Sequence, residues 1–209
     1  RVYSILEHGA NGTIVGIEAH MANGLPLLQL IGTVGKGIDE AKDRVRSAFA
    51  SSGIEMPRKK ITINISPSDL AKNGAHFDIA IALAILAESK QIKPSLLGEH
   101  TIVLGELGLD GSVKSVRGVL GKIQQAKGLG YTHFIVPKQN EHQAALIPHI
   151  NLYPASDIKS LVTGLQTNGL EFFDTKDGSP IAPHSYRAKT DMADVIGQEA
   201  AKRALQIAV

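Results

Sequence analysis

Four groups of residues have types and spacings that bear on chemistry. The first is Gly32-Thr33-Val34-Gly35-Lys36-Gly37. Glycines ahead of a helix present backbone N–H groups that bind anions. A phosphate-cradling loop, however, needs Gly, four residues, then Gly-Lys-Ser/Thr. Here Gly35-Lys36-Gly37-Ile38 follows Gly32 too soon, and the hydroxyl is missing. The stretch reads as a flexible strand-to-helix turn. The second group is Ser66, Ser68 and Lys72. A serine nucleophile needs a base within hydrogen-bond reach, so a serine–lysine pair is conceivable here. The plainer reading is that both serines organise a turn and cap backbone N–H groups. The third group is histidine. His76 and Asp78 stand two residues apart at a helix start and do not share a helical face, while His142 and His149 are isolated. No set of three or four metal ligands assembles by spacing, and each histidine reads as a hydrogen-bonded structural residue.

The fourth group is basic. Arg58, Lys59 and Lys60 sit at a strand entrance, and Lys42, Arg44 and Arg46 decorate the preceding helix. These six are candidate DNA-phosphate contacts, each releasing counterions and making binding salt-dependent. The plainer reading is a solvated helix face and strand end, since no interleaved aromatics supply a stacking platform for single strands. Bulk charge does not help. The net charge of +2, from 22 basic and 20 acidic residues, is too balanced to argue for nucleic acid by itself.

Elements must position these groups, and composition bounds what the elements are made of. The 209 residues are 43% hydrophobic, enough for one sizeable domain plus extras. Aromatics are 4% and tryptophan is absent, so Ile, Leu, Val and Ala must build the core. The lack of cysteine excludes disulfides, thiolate zinc sites and a cysteine nucleophile, and fits a cytoplasmic location. No apolar run approaches the ~20 residues of a membrane span. The start, Arg1-Val2-Tyr3-Ser4, has neither a signal core nor an initiator Met and reads as trimmed. Ala208-Val209 stops inside a helical pattern, so the gene is expected to continue.

Residues 1–31 read as extended, with Asn23-Gly24 as a hairpin turn and Leu25 to Ile31 as the returning strand. Ile38, Ala41, Val45, Ala48 and Phe49 mark a helix over 38–52, closed by Gly53. Ile61, Ile63 and Ile65 alternate as a strand. Residues 77–87 are apolar nearly all round and predict a buried helix. Then follow a strand at 101–104, a turn at 109–112, a helix from Val119 to Leu129 and a strand at 134–137. A helix near 139–147, a strand near 150–153 and a helix near 156–163 complete the pattern. Helices interleave with strands, so the class is α/β or α+β with a mixed central sheet flanked by helices. Residues 166–190 lose periodicity and read as a linker with one short strand at 170–173. A new helical unit begins at Asp191.

The run from Asn64 to Glu88, then Gly105-Glu106-Leu107, Leu109-Asp110-Gly111, Val116-Arg117-Gly118 and Ile135-Val136-Pro137, resembles the proteolytic domain of Lon over roughly residues 10–165. Lon carries a serine in a Lys-Asp-Gly-Pro-Ser-Ala-Gly segment and a lysine on a later helix. The matching segment here is Lys72-Asn73-Gly74-Ala75-His76-Phe77-Asp78, and the matching positions are His76 and Leu120. Lys122 falls two places further on, more than half a helical turn away. By this resemblance the Ser-Lys dyad is absent.

The C-terminal Asp194-Val195-Ile196-Gly197-Gln198-Glu199-Ala200-Ala201-Lys202-Arg203-Ala204-Leu205 resembles the opening of AAA+ modules. There the turn borders adenine, which makes Val195, Ile196 and Gly197 candidate nucleotide contacts. The combination resembles the ComM/YifB family of magnesium-chelatase-like ATPases. The resemblance implies a Lon-like domain at 1–165 without the dyad, a linker at 166–190 and the truncated start of an AAA+ module at 191–209. It implies no catalysis and no metal in this stretch, with ATP and Mg²⁺ used by the longer protein. It implies a homo-oligomeric ring, a hexamer, acting on DNA in branch migration during natural transformation. The alternatives are a Lon-like peptidase with a rearranged site and a magnesium-chelatase-type metal-insertion motor.

Overall fold

A computed structural model describes residues 1–8, 11–33, 35–72, 74–93, 97, 100–167, 169–175 and 194–208. It divides into two units, Arg1–Ser179 and Pro180–Val209. In the first, β1 (Val2–His8) and β2 (Asn11–Ala22) pair antiparallel, with Ile5 opposite Ile14. Next come β3 (Leu27–Ile31), α1 (Lys36–Asp39), α2 (Ala41–Ser52), β4 (Lys60–Ser66) and α3 (Asp78–Glu88). After these follow β5 (Thr101–Val103) and a small hairpin of β6 (Glu106–Leu107) with β7 (Val113–Lys114) around the expected turn. Then come α4 (Val119–Gly128), β8 (His133–Pro137), α5 (Glu141–Ala144), β9 (Asn151–Ala155), α6 (Ile158–Thr167) and β10 (Phe173–Asp174).

Eight strands form one mixed sheet in the order β10-β9-β8-β5-β1-β2-β4-β3. The pairs β1–β5, β5–β8, β8–β9 and β3–β4 are parallel; the others are antiparallel. The alternation that marks β4 is visible in its burial: Ile61, Ile63 and Ile65 are buried, while Thr62, Asn64 and Ser66 are only half-buried. Core residues of α2, α3 and α6 pack on one side of the sheet. Val119, Ile123 and Ala126 of α4 gather with Ala144 of α5 on the other. Every residue of α3 from Asp78 to Leu86 is buried, as its uniform apolarity requires. Gly53 closes α2 in the left-handed region at φ 67°. No helix among the described residues is long and apolar enough to cross a membrane.

The turn at Asn23-Gly24 does not close the hairpin its residues suggest. β4 inserts between β2 and β3, so that Ile63 faces Ala19 on one side and Leu30 on the other. Residues 23–26 therefore step across two strand spacings, roughly 9.6 Å. Turn residues report that the chain reverses, not which strand it meets. β4, with three fully buried isoleucines, takes the interior place between β2 and β3. The helix expected over 38–52 breaks into α1 and α2 at Glu40. The helix expected near 139–147 shrinks to a 3-10 turn at Lys138–Asn140 and the single turn of α5. The stretch beyond residue 165 holds the last residues of α6, and β10 on the sheet edge.

In the second unit, α7 (Glu199–Ala208) follows a turn in which Gly197 and Gln198 take positive φ.

Candidate functional site

The residues with chemical potential converge beyond the carboxyl ends of the parallel strands β1 and β5, the side on which open α/β sheets hold ligands. A cleft of about 680 Å³ lies there, lined by Glu7, His76, Glu106, Ser115, Arg117 and Lys122 with backbone from Gly74 and Ala75. β1 ends by delivering Glu7, the segment opening α3 brings His76, and the first turn of α4 brings Lys122.

The imidazole of His76 is fixed by its surroundings. Its Nε2 lies 3.1 Å from the carbonyl of Ile5. A carbonyl only accepts, so Nε2 carries the proton and Nδ1 is the free acceptor. Nδ1 faces Gly74, where an added Cβ would stand 3.0 Å from it. Burial, then the nearby Lys122 cation, push its pKa down to about 4, so the ring is neutral at ordinary pH. Beside it the Lys122 amine donates to Glu7 Oε2 at 2.6 Å and to the Arg117 carbonyl at 3.0 Å. Leu120, in contrast, is 38% exposed.

Lys122 thus reaches the cleft that its spacing in the sequence seemed to deny it. Side chains on a helix lean toward its N-terminus, so a long stem at 122 runs back over the first turn to Arg117 and Glu7. Glu7 has no periodic signature and stands 115 residues from its partner, so no local pattern in the sequence could have found it. Two glycines are the retrospective signal: a Cβ at Gly121 would lie 2.7 Å from Glu7 Oε1, and one at Gly118 3.0 Å from Glu7 Oε2.

The other candidate pair is not assembled for attack. Ser66 Oγ donates to the Gly16 carbonyl at 3.2 Å, and the fully buried Lys72 amine donates to the carbonyls of Pro67 and Leu70. The Ser68 carbonyl accepts from Thr33 Oγ1. Burial lowers the pKa of Lys72. The glycine-rich stretch is tied to this same loop, with Gly35 N donating to Lys72 O at 2.8 Å and Lys72 N to Thr33 O at 3.0 Å. His142 and His149 are exposed and apart from the cleft residues. Among the described residues no group of three His, Asp or Glu side chains is placed to hold a metal ion.

Of the six basic candidates, Arg46 and Lys59 line one groove, whereas Arg44 is drawn into the fold. Arg44 donates from Nε to Asp78 Oδ2 at 2.6 Å, and from Nη2 to Asp78 Oδ1 at 3.0 Å and to the Gly37 carbonyl at 2.7 Å. That guanidinium is committed inside the fold. Burial holds the fully buried Asp78 carboxyl above its ordinary pKa against the pull of Arg44 and of the Leu107 N–H. Lys42 pairs with Asp39 and Arg46 with Asp43. Arg58, Lys59 and Lys60 are exposed. In the second unit Val195 and Ile196 are exposed, the latter at 96%, with Gly197 in the turn between them and α7.

A mixed sheet with helices on both faces, and a cleft between the starts of α3 and α4, define an α/β domain of the Lon-like kind. The family described as "Subunit ChlI of Mg-chelatase" matches residues 17–140. The competence protein ComM of Haemophilus influenzae is 37% identical over 216 residues, covering 99% of this chain and 40% of ComM. YifB of Escherichia coli, an uncharacterized protein, is 38% identical over 200 residues, covering 95% of this chain and 38% of YifB. The chain belongs to this magnesium-chelatase-like family, with ComM and YifB among its relatives. Lon protease of Mycolicibacterium smegmatis is more distant, at 25% identity over 167 residues, covering 74% of this chain and 21% of that protease. The chain spans about 40% of the length of the ComM protein it matches.

Proposed function

We propose that this chain is the non-catalytic front of a ring-forming AAA+ ATPase of the ComM type, working in the cytoplasm on DNA. In this reading Arg1–Ser179 is an accessory tier that shapes subunit contacts or positions substrate. ATP and Mg²⁺ are handled by sequence beyond Val209, and the longer protein acts as a homohexamer in branch migration. The observation that carries it is the Lon-like cleft itself. The nucleophile position holds His76, with Nε2 bound to a backbone carbonyl, and the lysine position holds a half-exposed leucine. The lysine present, Lys122, is neutralised by Glu7. A serine attacks only when a base can take its proton, and here the Lys122 amine is tied to Glu7 and the Arg117 carbonyl. The likeness to a protein named for competence supports the DNA side of the reading.

The test has three parts. Residues 1–209 should hydrolyse neither ATP nor a fluorogenic peptide, whereas the longer protein should hydrolyse ATP. Peptide turnover abolished by Ser68→Ala would establish the peptidase reading instead. Binding of forked against linear DNA across a salt series separates a DNA guide, whose affinity falls steeply with salt, from a scaffold with no affinity.

The family's description favours one second reading, a motor for metal insertion into a porphyrin. Magnesium insertion by the longer protein, with no response of its ATPase to forked DNA, would select that reading.

A further inference from the structure

Among the described residues one edge of the sheet has no strand or helix over it. There β3 is the terminal strand, pairing among the described residues only with β4. Exposed edges invite another strand, and proteins usually blunt them with lysine, proline or a bulge. Residues 27–31 read Leu-Leu-Gln-Leu-Ile, with no charge and no proline. Leu25, Leu27 and Ile31 are 88%, 48% and 42% exposed. Over the start of β3 and its neighbour β4 lies a groove of about 280 Å³ with an apolar floor of Leu28, Met56 and Ile61 and two cationic rims, Arg46 and Lys59; among the described residues no acidic side chain lines it. Among the described residues Arg46 is held only by a long, exposed contact of 3.8 Å to Asp43, the kind of pair that contributes little.

We propose that the open edge of β3 docks an extended acidic–apolar peptide, which adds to the sheet as a further strand and seats an apolar side chain between Arg46 and Lys59. Backbone hydrogen bonds along β3 supply affinity in such strand addition, and the pocket for alternate side chains supplies specificity. The two rims set the charge: aspartate or glutamate on either side of the seated residue meets a cation, whereas a basic peptide meets repulsion. A nucleic acid would use the same two cations but has no need of the apolar floor or of the free N–H and C=O groups of β3, so the observations favour the peptide.

The experiment titrates the 209-residue chain into a fluorescein-labelled, end-blocked hexapeptide alternating Asp and Leu. It reads anisotropy, and separately amide hydrogen exchange. Saturable binding with slowed exchange at residues 27–31 is expected. Methylating alternate peptide nitrogens removes the strand bonds to β3 and should weaken binding about tenfold or more. Lysine in place of Asp in the peptide, or the double variant Arg46→Glu/Lys59→Glu, should weaken it by a similar factor. The proposal is overturned by any of four results: no saturable binding; equal binding of the methylated peptide; protection at the Glu7–His76 cleft rather than at β3; or displacement of the peptide by a DNA oligonucleotide or by self-association of the chain. The changes made in the peptide keep the test decisive even where the protein variant fails to fold.

Discussion

Neutral His76 ties part of this domain's acid stability to one ring. Its pKa in the fold is about 4, against roughly 6.5 in an unfolded chain. Between those values the unfolded chain binds the extra proton, so stability is full above pH ~6.5 and falls as pH drops toward 4. The loss approaches about 3 kcal/mol at the acid end. Urea midpoints for His76→Gln should therefore run flatter than wild type between pH 7 and pH 4.5. Arg44→Ala acts the other way. It leaves the buried Asp78 carboxylate without its cation, at a cost of about 3 kcal/mol near neutrality. That cost shrinks as acid protonates Asp78, so the variant should lose less relative to wild type at pH 5 than at pH 7, and adding Asp78→Asn should restore part of the loss. Ser4 makes a smaller point. Its hydroxyl is fully buried with no hydrogen-bond partner among the described residues, so Ser4→Ala should be neutral or stabilising by up to about 1 kcal/mol. At this scale the sequence was legible where a residue's role is local, as with Gly53. It was not where charge crosses the fold: Arg44 read as a surface cation, and Glu7 carried no periodic signature.

Strands and helices were legible from periodicity because burial on one face imposes it. Ile61, Ile63 and Ile65 predicted β4, and the all-round apolarity of residues 77–87 predicted α3. Pairing was not legible, since register and neighbour choice depend on which strands compete for the centre of the sheet. The loop after β3 shows what that placement demands. Gly32 has φ 121°, and a Cβ on it would stand 2.6 Å from the Ile65 carbonyl oxygen. That oxygen belongs to β4 and cannot swing away as a side chain could. Gly32→Ala should cost about 2 kcal/mol through strain and contact together. Gly53→Ala, with open space around its left-handed backbone, should cost only about 1 kcal/mol. The two urea midpoints measured side by side distinguish a glycine kept for close approach from one kept for conformation alone.

For the molecule as a whole, the question is where the first unit stops. Loss of periodicity suggested residue 165, yet Thr175 is buried and closes the start of β9. Its Oγ1 donates to the Ile147 carbonyl at 2.6 Å and accepts from Ile150 N at 3.1 Å; its backbone N donates to Ile150 O at 3.0 Å, and His149 N donates to its carbonyl at 2.6 Å. The short strand read at 170–173 falls on β10 at Phe173–Asp174, but nothing in the sequence marks it as part of the first sheet, and a single threonine such as Thr175 has no periodicity at all. The division at Ser179 predicts that residues 1–179 keep the thermal transition of the 209-residue chain within about 1 °C. Ending at residue 165 instead removes β10 and leaves the Ile147 carbonyl and the Ile150 N–H without these partners in a buried setting. Each such orphan costs roughly 1–3 kcal/mol, which for a domain of this size lowers Tm by about 3 °C or more per group. Calorimetry on the two truncations decides it: equal transitions for 1–165 and 1–179 would show that the sheet ends at β9 and that β10 contributes nothing to the fold.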